Sequence, residues 1–87
     1  MKSQNESGNI NKLELPELIV IATTLFKKTF LNNTGYADLV INYDDGKWTV
    51  WFNSAVQEQR HLEQSDSAIK AMFHLINWIR ITGTLRK

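Results

Sequence analysis

Eighty-seven residues, 43% hydrophobic and 22% charged, are ordinary for a globular chain and exclude disorder of the whole, so one small domain is expected. Ten Lys and Arg against nine Asp and Glu leave a formal charge of +1, too balanced to mark a nucleic-acid or membrane surface by composition. Cysteine is absent, which excludes disulfides and thiolate zinc ligands, and no apolar run approaches the roughly 18 residues of a transmembrane helix; with no signal-peptide core in the polar N-terminus, a cytoplasmic protein without membrane contact is the expectation.

Residues 1–12, MKSQNESGNINK, contain almost nothing apolar and read as a disordered tail, followed by a single folded unit over 13–83 and a frayed tail at 84–87. Pro16 suits the first position of a helix, because its φ is already helical and its missing N–H would have no partner there. From Pro16 to about Leu31 a wide apolar stripe of Leu18, Ile19, Ile21, Ala22, Leu25, Phe26 and Phe30 recurs at helical spacing, with Lys27 and Lys28 at the end that the helix dipole makes favourable for cations. Asn32-Asn33-Thr34-Gly35 then breaks the pattern with residues that tolerate left-handed geometry.

The stretch Ala37 to Asn53 is the strongest local signal in the chain. Two alternating apolar runs flank Asp45-Gly46, a pair suited to a two-residue type I′ turn, in which both central residues need positive φ. That turn sets the register: Asp44 opposite Lys47, Tyr43 opposite Trp48, Ile41 opposite Val50 and Leu39 opposite Phe52. The six apolar residues from Leu39 to Phe52 in those pairs share one face, which flanking helices must cover, and a slip of one residue would turn all of them to solvent. The other face pairs Asn42 with Thr49, Val40 with Trp51 and Asp38 with Asn53.

Residues 55–64 are too polar for a central strand, yet the alternation of Val56, Glu58, Arg60 and Leu62 permits a charged edge strand. Ser65-Asp66-Ser67 supplies N-cap residues for a second helix over about Asp66 to Thr82, with Gly83 read as its stop. The expected fold is therefore α+β: a two-layer α-β-β-(β)-α arrangement in which a hairpin or three-stranded antiparallel sheet carries both helices on one face. The second helix is apolar over a wider arc than one sheet face needs, with Ala68, Ala71, Leu75 and Trp78 on one side and Ile69, Met72, Ile76 and Ile79 on another. A surplus facing water would favour a homodimer or a protein partner, and a domain of this size gains from either.

Signals for chemistry are weak. His61 and His74 have no second ligand at metal-like spacing and belong to no catalytic motif; the turn accounts for Asp45, and Lys47 opposite accounts for Asp44. The four glycines stand alone, so none builds a phosphate-cradling loop, and no nucleophile elbow is present. A non-catalytic protein without metal or cofactor is expected. Trp48 and Trp51 must point to opposite faces of one strand; Trp48 is assigned to the core and Trp51, with Val40 and Thr49, to the outer face. Val40, Thr49, Trp51 and Trp78 are the candidate partner-binding residues. The alternative, nucleic-acid binding, requires Lys27, Lys28, Arg80, Arg86 and Lys87 to converge in one patch.

Three resemblances follow from these residues. The order of elements over Pro16 to Thr82 resembles the double-stranded RNA-binding domain, which implies RNA binding through a basic cluster opening the last helix; here that place reads Ser65-Asp66-Ser67-Ala68. DDGKWTVWF followed by SDSAIKAMFHLINWI resembles the core of HicB-type antitoxins, in which a glycine hairpin precedes an Ala-rich helix. The layout as a whole, with Gly46-Lys47-Trp48 opening the second strand, resembles small phage proteins of the α-β-β-α sandwich type. That last likeness implies a phage or prophage accessory protein that blocks a host protein.

Overall fold

The computed structural model describes residues 14–54 and 61–86; the tail expected at 1–12, the first part of the expected edge strand and Lys87 lie outside them. Helix α1 (Leu15–Phe30) precedes strands β1 (Ala37–Asp44), β2 (Lys47–Ser54) and β3 (Glu63–Ser65), and helix α2 (Ala68–Arg86) closes the fold. The sheet is antiparallel in the order β1-β2-β3, with both helices on one face, as the sequence pattern predicts.

Local chemistry explains the boundaries. The Glu17 carboxylate accepts a hydrogen bond from the Glu14 N–H at 2.9 Å, satisfying a donor that the helix itself cannot. At the other end of α1 the chain turns left-handed at Asn32 (φ 55°) and Asn33 (φ 63°), so that the Asn33 N–H reaches the Lys27 carbonyl at 2.9 Å and closes the last turn. Asp45 (φ 52°) and Gly46 (φ 76°) are both left-handed, which is the type I′ turn, and every pair of the expected β1–β2 register is present. Ser67 caps α2: its hydroxyl accepts from the Lys70 N–H at 3.4 Å and its carbonyl from the Ala71 N–H at 3.0 Å.

The core lies between the sheet and the helix pair. Leu18, Ala22 and Phe26 of α1 meet Val50 and Phe52 of β2, and the Phe26 and Phe52 rings stack at 4.6 Å. From α2 come Ala71, Met72, Leu75, Ile76 and Ile79, all buried. These belong to both apolar stripes of that helix, so α1 covers what the sheet does not. Most of the surplus arc is covered within one chain, while Ile69 of α2 (37% exposed) and Ile21 of the α1 stripe (38%) stay at the surface.

Three further expectations are corrected. The helix pair does not reach the turn: Tyr43 is 57% exposed, and Trp48 is half-buried but outside the core. At about 3.3 Å per residue the Tyr43–Trp48 pair sits some 7 Å beyond Val50, where its rings shield each other at 4.7 Å. Helix α2 starts at Ala68 rather than Asp66, because Ser65 is taken by β3 and Ser67 by the cap. It also continues through Gly83 to Arg86. A Cβ at Gly83 would stand 2.9 Å from Thr29 Cγ2, so this glycine permits close approach of α1 instead of ending the helix.

Candidate functional site

Strand alternation builds one surface on the outer side of the sheet. Thr49 and Trp51 of β2 point away from the helices, Val40 lies directly opposite Trp51, and Gln64 of β3 donates from Nε2 to Thr49 Oγ1 at 3.1 Å. Continuing the β2–β3 register by one residue brings Leu62 opposite Trp51. The alternation is visible in the contacts, since His61 and Glu63 reach side chains of α2 while Gln64 reaches Thr49. Val40 and Trp51, outside the core, therefore form an apolar pair across β1 and β2, and Leu62, 54% exposed in the residue before β3, extends the row. Thr49 and Gln64 border the row on the side toward the turn.

Trp78 does not join this surface. It packs against the core on the helical side, 5.5 Å from the Phe30 ring, and the His61 ring stacks on it at 4.2 Å with only 5° between planes. His61 Nε2 hydrogen-bonds Glu63 Oε2; a carboxylate only accepts, so this nitrogen carries the proton. Glu63 Oε1 also stands 4.0 Å from His74 Nδ1. The two histidines thus share a carboxylate, which sequence spacing gave no reason to expect. Its evident effect is structural, holding the segment before β3 onto α2. Among the described residues no group of three His, Cys, Asp or Glu is arranged to hold a metal ion.

A second surface lies where α1 and α2 approach most closely. Leu25, Lys28 and Thr29 of α1 and Ile79, Arg80 and Thr84 of α2 line a groove of about 470 Å³, with Gly83 where the helices come together. Two of the five candidate cations, Lys28 and Arg80, therefore converge. Lys27 is half-buried and does not line the groove, and the side chains of Arg86 and Lys87 lie outside the described residues.

No family model, curated protein or solved structure matches this chain. Val40, Thr49 and Trp51 come together as the register requires. Leu62 was absent from the candidate set, although its place in the 56–62 alternation was the available signal. Leu25, Thr29, Gly83 and Thr84 carried none, because a groove between helices leaves no mark in the local pattern of either.

Proposed function

We propose that this chain is a non-catalytic binding protein that acts by occupying the surface of a protein partner, as the likeness in layout to small phage sandwich proteins implies. The observation that carries the reading is the Val40–Trp51–Leu62 row on the sheet face opposite α1 and α2. A half-buried Trp with aliphatic neighbours and a polar border is the composition of a recognition anchor, since such a ring buries a large apolar area at small conformational cost.

Geometry favours a different protein over a second copy. Two strands of eight residues and one of three, at about 3.4 Å per residue and about 4.8 Å apart, span roughly 300 Å², less than half of the about 800 Å² per partner that a stable interface buries. Two such faces pressed together would form a weak dimer. Among the described residues β1 has no strand on its outer edge, and a partner that also pairs there would enlarge the contact and gain main-chain hydrogen bonds.

Photocrosslinking tests the reading. A benzoylphenylalanine placed at position 51 should capture one protein in the native host, and Val40→Asp with Leu62→Asp should abolish that product. Equal capture of the same protein from exposed position 77 on α2 would move the site off the sheet, and a product that is only the chain's own dimer would replace the partner by a second copy.

A further inference from the structure

We propose that the groove between α1 and α2 is a binding site for a small amphiphilic anion, an alkyl or aryl carboxylate whose apolar body lies on Leu25 and Ile79 while Lys28 and Arg80 hold its charge. Its volume of about 470 Å³ falls within the roughly 300 to 1,000 Å³ of small-molecule sites. The lining combines what such a ligand requires: the aliphatic side chains of Leu25 and Ile79, the cations Lys28 and Arg80, and the hydroxyls of Thr29 and Thr84. Thr84 donates to the Arg80 carbonyl at 3.0 Å, which leaves its oxygen lone pairs directed elsewhere and the cations as the groups that select charge.

Among the described residues neither Lys28 nor Arg80 makes an ion pair, whereas Lys70 pairs with Asp66, and Glu63 is engaged by the histidines. Among the described residues no carboxylate lines the groove. Glu17, the acidic residue in the first turn of the same helix as Lys28, is eleven positions away, or about 16 Å along the axis. Two like charges brought to one apolar groove are mutually unfavourable until an anion enters between them. A nucleic acid is a poorer occupant, because duplex binding draws on about six to ten phosphate contacts and this groove offers two cations.

Titration of the isotopically labelled full chain by nuclear magnetic resonance, with decanoate, decanol and decyltrimethylammonium below their micellar concentrations, separates charge from apolarity. Decanoate should saturate, moving the amides of Thr29, Ile79, Gly83 and Thr84, and should bind at least tenfold more tightly than the other two. Lys28→Gln with Arg80→Gln should reduce decanoate to the affinity of decanol without changing decanol itself, and Arg80→Lys should retain most of the preference. These residues are exposed enough that the variants should keep the parent spectrum outside the groove. Equal affinity for all three probes, no saturation by millimolar concentrations, or shifts elsewhere in the chain would overturn the proposal. So would anionic phosphatidylglycerol vesicles or a 20-base-pair duplex that moves the same amides more strongly than decanoate, since the groove would then belong to a membrane or nucleic-acid surface.

Discussion

Gly83→Ala separates two readings of one glycine. In an exposed helix interior the change should stabilise by about 0.5 to 1 kcal/mol, because alanine restricts the unfolded chain and favours helix. Here the new Cβ would stand 2.9 Å from Thr29 Cγ2, closer than any ordinary carbon contact, and the methyl belongs to a β-branched side chain with few rotamers to escape into. Overpacking of that kind costs about 1 to 3 kcal/mol, so the net expectation is a loss of about 0.5 to 2 kcal/mol. Each kcal/mol corresponds to about 4 to 8 °C in melting temperature for a domain of this length. Thr29→Ser removes the methyl, and in that background Gly83→Ala should stabilise, giving a coupling of about 1 to 3 kcal/mol by urea denaturation monitored through circular dichroism. If Gly83 instead served as a left-handed cap, alanine would destabilise equally in both backgrounds and the coupling would vanish. That outcome would refute the close helix approach.

Gly46→Val should lower stability by about 1 to 3 kcal/mol through backbone strain alone, because φ is 76° and nothing lies within 4 Å of the new Cβ; Gly46→Asn should be far milder, and an unchanged melting temperature for Val would remove the type I′ turn. His61→Ala removes both the stack on Trp78 and the hydrogen bond to Glu63, and should cost about 1 to 2 kcal/mol in denaturant unfolding, with His61→Phe recovering part of it through the ring. No loss for His61→Ala would mean that the segment before β3 is held by other contacts.

The hairpin was legible to the residue because two independent constraints agree. Asp45-Gly46 selects the turn, and the alternation on both sides penalises every other register. The helices were legible in number and in apolar face, but their reach was not. Period and capping residues are local, whereas the exposure of Tyr43 depends on where α1 and α2 stop over the sheet. Gly83 is the sharpest case. A glycine after an apolar helical run signals a stop until Thr29, 54 positions earlier, is known to lie against it. The same limit governs the surfaces: register alone brings Val40, Thr49 and Trp51 together, while Lys28 and Arg80 meet only through the packing of two helices. His61, Glu63 and His74 likewise converge because β3 lies under α2, a contact that no sequence interval encodes.

Buried and outward-facing residues alternate along β2, and this permits a decisive test. Val50 and Phe52 of β2 are buried against the helices, while Trp51 between them faces outward beside Val40 and Leu62. Phe52→Ala should therefore cost about 3 to 5 kcal/mol, through lost transfer energy and the cavity left beneath Phe26. Trp51→Thr removes a larger side chain, yet a β-branched residue suits the pleat and the lost contacts are lateral ones with Val40 and Leu62, so the change should stay within about 1 kcal/mol. The larger deletion should have the smaller effect. Equilibrium unfolding of both variants measures this directly. A loss at position 51 comparable to that at position 52 would mean that Trp51 serves the fold, and would leave the outer face without its anchor.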